Sequence, residues 1–241
     1  MAYKQVGAGI ARLANRRIDR QGESFVKEPA GMQRQKAEAM DGITDDRVNP
    51  WTVHREEESF ACSYFSVRSD TVAHGTRLPR VYNSIRMRTF GVSVVPIDDE
   101  GCTTLVGQYR YVVDRFTWEV PGGGCKLDQA PVEAARMELS EETGYRADHW
   151  LQLFDASLAP GTIDGRTQCF VAWGLRAGIP HPEPEERLLQ RRVPFGQAIS
   201  MVLSGEISSF SSVTVLLGIQ VKLARGELPA DLMKLLQQRP R

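Results

Sequence analysis

From residue 59 onward, apolar positions fall into short runs of the kinds that strands and helices require. β-Branched and aromatic residues alternate or bunch over 59–68 and again over 84–97, which predicts strands. Asp98, Asp99, Glu100 and Gly101 then form a turn signal leading into a third strand over 103–109. A helix-length stretch, 122–145, reads GGGCKLDQAPVEAARMELSEETGY. Strands are expected near 150–155 and 167–175, a Pro- and Glu-rich loop at 180–186, and helices at 195–203 and 211–225. Strands flanking helices in mixed order suit an α/β (α+β) domain built as an α/β/α sandwich around a mixed β-sheet. No internal repeat interrupts this series.

The first 48 residues differ from the rest of the chain. They are polar, carry Gly7, Gly9, Gly22, Pro29, Gly31 and Gly42, and leave room only for two short helices, 10–18 and 32–40. This segment reads as a partly flexible N-terminal extension, a candidate docking arm, ahead of a domain spanning 49–241. Its first eighteen residues hold Lys4, Arg12, Arg16 and Arg17 and no acid. That pattern suits a plain tail, a transit peptide or a weak anionic contact.

Charge and cysteine usage narrow the function classes. Thirty basic residues balance thirty acidic ones, and no long basic tract offers the phosphate contacts of a nucleic-acid binder. No apolar run approaches the ~20 residues of a membrane span. Cys62, Cys102, Cys125 and Cys169 are widely spaced and form no zinc or CxxC pattern, as expected of thiols in the reducing cytoplasm. Cys125, within the glycine segment, reads as a passive thiol rather than a reactive one.

The chemistry concentrates in Glu138, Glu141 and Glu142. Residues three and four apart share a helix side, so Glu138 faces both of the others and the three charges repel at neutral pH. On composition alone, a solvated acidic face is a sufficient explanation. A hard divalent cation is the functional one, since Mg²⁺ or Mn²⁺ takes carboxylate oxygens and keeps positions open for substrate phosphate. The flanks support the second: Gly122, Gly123 and Gly124 permit close backbone approach or φ > 0, Asp128 and Pro131 suit a helix start, and Gly144 suits its C′ position.

Taken together, these residues resemble the Nudix hydrolase box: Gly, five residues, Glu, seven residues, Arg-Glu-aliphatic, one residue, Glu-Glu, one residue, Gly-aliphatic. Gly123, Glu138, Leu139, Glu141, Glu142 and Gly144 match in register, and Tyr145 takes the final, usually aliphatic place. Gln129 stands where the box has its first Glu and Met137 where it has Arg. Arg136, one residue early, points about 100° away and is no obvious substitute. The segments Gly107 to Tyr111 (GQYRY) and Trp118 to Gly123 (WEVPGG) look like the ADP-ribose pyrophosphatase branch, as does Pro160, sixteen residues beyond Gly144. A Glu that this branch carries in the next loop aligns with Gly165, leaving Asp164 as the neighbouring carboxylate.

The resemblance, which covers roughly 49–228, implies a Nudix-type sandwich and metal-dependent cleavage of a nucleoside diphosphate sugar such as ADP-ribose. The products would be a nucleoside monophosphate and a sugar phosphate. GDP-mannose or another sugar nucleotide is the rival substrate, and a catalytically weak Nudix module that binds a nucleotide or protein partner is the rival class. It implies Glu138, Glu141, Glu142 and the carbonyl of Gly122 as metal ligands, with Glu138, Glu141, Glu142 and, more weakly, Asp164 as catalytic groups. Glu119 and Gly123 are implied at the substrate, Glu119 against the plainer reading of a strand-end charge; Arg110 is a candidate clamp on the diphosphate because its planar fork matches phosphate oxygens, with a surface salt bridge as the alternative. Trp118 or Phe116 is a candidate for stacking on a base, against the commoner role of strand aromatics in a core. A homodimer is implied too, in which strands within 49–83 are exchanged between subunits.

Overall fold

The structure is a computed structural model that describes residues 48–181 and 187–238. The expected extension, with its helices at 10–18 and 32–40, lies outside them. Chain contacts divide the described residues into a small unit, 48–51 with 74–78, and a main body, 52–73 with 79–181 and 187–238.

Eleven strands and four helices follow in the order β1 (Trp51–Arg55), β2 (Glu58–Ala61), β3 (Phe65–His74), β4 (Arg80–Met87), β5 (Thr89–Ile97), β6 (Cys102–Arg110), β7 (Arg115–Glu119), β8 (Gly122–Lys126), α1 (Pro131–Thr143), β9 (Arg146–Ala159), β10 (Ile163–Arg176), β11 (Leu189–Pro194), α2 (Phe195–Leu203), α3 (Phe210–Ala224) and α4 (Ala230–Leu236). The strands form one mixed sheet in the order β1-β3-β4-β10-β5-β6-β11, with β2 on β3, β7 on β6, β8 on β5 and β9 on β10. β10 runs parallel to β5, Thr167 opposite Gly91 and Trp173 opposite Ile97, while β8 lies antiparallel on the other side of β5.

The period-two rule sorts the central strands into two cores. Phe90, Val92 and Val94 of β5 and Phe170 and Ala172 of β10 face α1, where they meet Ala134, Ala135 and Leu139. Val95, Ile97, Cys169, Val171 and Trp173 face the other way, onto Ala198 and Met201 of α2, Val215, Leu216 and Ile219 of α3, and Leu232 of α4. Helices therefore cover both faces, the sandwich expected. The indole N–H of Trp173 donates to Asp231 at 2.8 Å and ties α4 to the sheet. That bond is the leading reason the Asp231 carboxyl titrates below its ordinary range.

Several boundaries move. The stretch 59–68 is not one strand but a hairpin of β2 and β3, and 84–97 is divided near Arg88 between β4 and β5. β7, β11 and α4 add to the predicted elements. The larger correction lies ahead of α1: Gly122, Gly123 and Gly124 are strand, paired with Ser93, Val92 and Gly91, and none has positive φ. The helix begins only at Pro131, with Ala130 at the N-cap and no side-chain cap, so Asp128 does not serve there. Proline at the first helical position needs no N–H partner, and this fixes the start. Gly144 takes the expected left-handed C-terminal conformation, φ 77°, and its N–H donates to the Ser140 carbonyl.

Leu139 is fully buried between α1 and β5. Leu139→Ala is expected to lower the unfolding free energy by about 2–5 kcal/mol, measured by urea denaturation, because a cavity opens where helix meets sheet. A loss under 1 kcal/mol would show that this contact does not anchor α1.

Candidate active site

The cleft is made by a change of partner in the sheet. β5 and β6 pair only at Ile97 and Thr103, and beyond that point β6 continues with β7 while β5 takes β8. The linking residues Val120 and Pro121 fill the fork: the Val94 N–H donates to the Pro121 carbonyl at 2.8 Å, and the Val120 N–H donates to Ser212 of α3 at 3.0 Å. A cleft of about 310 Å³ opens above the fork, with Gly122, Gly123 and Gly124 as its floor and Arg110, Glu119 and Arg166 as its charged lining residues.

Of Glu138, Glu141 and Glu142 on α1, two meet this floor from beneath. The carboxylate of Glu142, a side chain almost wholly buried, accepts the Gly122 N–H at 2.8 Å. Glu138 lies so close to Gly123 that an added Cβ would fall 2.5 Å from its carboxyl carbon. Glycine is required here for contact with protein carboxylates, and no left-handed backbone is involved. The helix end is held from the other side as well, since the Gln190 amide donates to the Glu142 carbonyl at 2.6 Å and the His181 N–H to the Glu141 carbonyl at 2.9 Å. The Glu141 side chain does not join its neighbours. It borders a separate recess on the outer side of α1, with Arg136, Met137, Trp150 and His181.

Arg110 and Glu119 form a two-pronged pair, Nε to Oε1 at 2.9 Å and Nη2 to Oε2 at 3.0 Å, with the Thr117 hydroxyl donating to Oε1 at 2.6 Å. Burial pushes the Glu119 carboxyl upward, but these donors and the arginine charge outweigh it and hold the group below the ordinary range. Glu119 is thus an anion throughout neutral pH, and the guanidinium is fixed at the wall between this cleft and a second, of about 530 Å³, that it also lines. Phe116 and Trp118, on the opposite face of β7, pack edge to face with ring centres 5.3 Å apart. A side chain on Gly107 would collide with both rings. Neither ring lines the cleft.

The residues that depart from the expected box touch each other: the Gln129 amide points at the Met137 sulfur, 3.5 Å away. Arg136 turns aside as predicted, its guanidinium 4.9 Å from the centre of the Trp150 ring. Asp164 is drawn off. It accepts the Met87 N–H at 2.8 Å and Arg86 at 3.4 Å, and it does not line the cleft, whereas Gly165 does. The physical reason is that β10 starts at Ile163, so the supposed loop is strand and carries Asp164 to the β4 edge. For the same reason Arg166, overlooked in the sequence as a loop residue, stands on the cleft wall. Cys125 is fully buried, and burial raises its thiol, in keeping with a passive role.

Among the described residues, no group of three or more His, Cys, Asp or Glu side chains forms a ready-made metal cluster. The donor set at the floor is oxygen only, Glu138 and Glu142 with the strand backbone between them and the cleft. It fits Mg²⁺ or Mn²⁺, which are commonly held by one or two carboxylates with water and substrate phosphate completing the shell.

Known proteins resemble this chain in sequence and in fold. An ADP-ribose pyrophosphatase of Mycobacterium tuberculosis is 36% identical over 133 residues, 53% of this chain and 63% of that protein. A second ADP-ribose pyrophosphatase, of Bacillus subtilis, is 28% identical over 55% of this chain and 73% of its own, and a GDP-mannose pyrophosphatase of Pectobacterium atrosepticum is 33% identical over 37% and 48%. The match thus spans less than two thirds of the M. tuberculosis protein. A solved structure described as an ADP compounds hydrolase superposes with a TM-score of 0.68 over 76% of this chain and 100% of its own; at 22% identity it speaks for the fold. The family model described as NUDIX domain matches residues 87–208, which is half of the chain and includes the glycine floor, the box helix and the cleft walls, so the chain belongs to the NUDIX domain family.

Proposed function

We propose that this chain hydrolyses the pyrophosphate bond of a nucleoside diphosphate sugar, with ADP-ribose as the first candidate and GDP-mannose as the second. The observation that carries the reading is the pairing of Glu138 and Glu142 with the glycine floor, in a cleft whose wall holds Arg110. Glu138, Glu142 and the Gly122 carbonyl would hold Mg²⁺ or Mn²⁺. When bound, the metal supplies charge neutralisation at the phosphates and a more acidic water. The chain does the positioning: Glu142 fixes the floor strand through the Gly122 N–H, and Arg110, oriented by Glu119, sets a cationic guanidinium on the cleft wall where it would attract the diphosphate. Four free cysteines suit a cytoplasmic setting. The position of Asp164 away from the cleft favours one second reading, a Nudix module that binds such a nucleotide without turning it over.

A homodimer belongs to the proposal. β1 and β2 are exposed along their whole length, with Val53 and Phe60 more than half exposed, as suits strands completed by a second copy. Light scattering should give twice the chain mass, and a monomer would remove this part.

Release of nucleoside monophosphate from ADP-ribose, GDP-mannose, NADH and a diadenosine polyphosphate, assayed with Mg²⁺, Mn²⁺ or EDTA, tests the activity. We expect metal-dependent turnover that falls about 100-fold or more in Glu142→Gln. Folded protein that turns over none of the four substrates above the level of that variant would favour the binding module.

Restoring the box is a sharper probe. Because Gln129 and Met137 are in contact, Gln129→Glu with Met137→Arg places an ion pair where the amide and thioether now meet. Turnover is expected to rise about 10-fold or more in the double variant, beyond the product of the single changes, since loss of such orienting contacts costs ~10–100-fold. Additive or absent gains would mean that α1 is already correctly held.

A further inference from the structure

The three glycines of the cleft floor are not equivalent. A Cβ on Gly122 would collide with the Val92 carbonyl oxygen of β5, and one on Gly123 with the Glu138 carboxylate of α1. Packing within the protein accounts for both. At Gly124 it accounts for nothing, because a Cβ there would have no heavy atom within 4 Å apart from the residues on either side. Conformation does not call for glycine either, since Gly124 has no positive φ. Among the described strand glycines this combination is unique: Gly91, Gly107, Gly165 and Gly174 would each bring a Cβ to 3.2 Å or less from another side chain.

A glycine inside a strand weakens it, losing the most chain entropy on folding and offering no side chain to pack. One that neither packing nor conformation requires needs another reason. Close approach of a ligand to the backbone is such a reason.

Strand alternation sets the direction of the gap. Successive residues face opposite sides of the sheet, so Gly124 faces away from the side on which Gly123 meets Glu138. It pairs with Gly91, which has no side chain, and Gly91 pairs with Thr167 of β10, so nothing on that face leans across from β5. Gly91, Gly124 and Thr167 all line the cleft, and Gly124 is exposed. The space that a side chain at 124 would fill is therefore cleft volume.

Spacing says what lies there. Gly124 is two residues along β8 from Gly122, about 7 Å at ~3.3 Å per residue. With the pyrophosphate at the Gly122 carbonyl, that position is reached by the group esterified to a phosphate rather than by the bridging P–O–P unit. In a nucleoside diphosphate sugar the group next to the pyrophosphate is a sugar ring on either side.

We infer that Gly124 is a specificity-determining position, kept free of a side chain so that a sugar ring attached to the pyrophosphate can lie against β8. This rests on the proposed pyrophosphatase reading and deepens it, adding a substrate contact at the one floor position that the protein's own packing leaves unexplained.

The experiment measures Kd by calorimetry with Mg²⁺ for three non-hydrolysable compounds of increasing size: methylenediphosphonate, α,β-methylene-ADP and α,β-methylene-ADP-ribose. Wild type, Gly124→Ala and Gly124→Val are compared, and their melting temperatures recorded. For the ADP-ribose analogue, Kd should rise about 10-fold or more in Gly124→Val and less in Gly124→Ala, as overfilling of a fitted space does. Methylenediphosphonate, which has no ring, should bind all three proteins within about 2-fold. Melting temperatures should equal or exceed that of the wild type, because alanine and valine suit a strand better than glycine. An equal loss for α,β-methylene-ADP would identify the ring as the nucleoside ribose, and no loss would identify it as the terminal sugar; both sustain the inference. An unchanged Kd for the ADP-ribose analogue, a loss shared by methylenediphosphonate, or a lower melting temperature in Gly124→Ala would overturn it and leave the pyrophosphatase reading intact. Wild-type protein that binds neither nucleotide analogue would remove that reading and the contact with it.

Discussion

The site depends on the absence of side chains along one edge of β8. A Cβ on Gly123 would collide with the Glu138 carboxylate and one on Gly122 with the Val92 carbonyl of β5, so both glycines are needed for α1 and β5 to close on β8, where the Gly122 N–H meets Glu142. The requirement propagates outward. β8 must lie flat on β5, α1 must present its fourth-residue pair to that strand, and Leu139 must fill the space between them. A buried carboxylate without such a donor would carry a heavy desolvation cost, and the Gly122 N–H offsets part of it for Glu142.

Much of this was legible in the chain, and the misreadings have physical causes. The E-x-x-E-E spacing, the glycine run and Gly144 located the helix end and its acidic face, because these signals are local and each has a mechanical meaning. The start of the helix was misplaced because glycines carry no periodicity. Gly122, Gly123 and Gly124 are strand through their pairing with β5, a partner some thirty residues earlier that no local pattern announces. Asp164 and Arg166 changed roles for a related reason. Whether residues after Pro160 form loop or strand is set by pairing with β4 and β9, and one element boundary then settles which residues border the cleft.

The Gln129 and Met137 contact shows how a motif can lose charge without losing packing. An amide against a thioether is a weak polar contact at the surface, yet it strands no ion. The helix therefore keeps its place through Leu139, Gln190 and the glycine floor rather than through the departed charges. Fold and catalytic orientation draw on different residues here, so change in one does not oblige change in the other.

The parallel pairing of β10 with β5 also has a kinetic meaning. The two strands are separated in the chain by β6 to β9 and by α1, and their pairing closes one of the longest loops in the domain. Long-range parallel pairing tends to form late, because loop-closure entropy is lost before contact energy is gained. One wall of the cleft is β10 and its floor rests on β5, so the cleft exists only after that closure. A chain folding from its N-terminus can complete the β5, β8 and α1 layer first, with both glutamates in place, and acquire the opposite wall last.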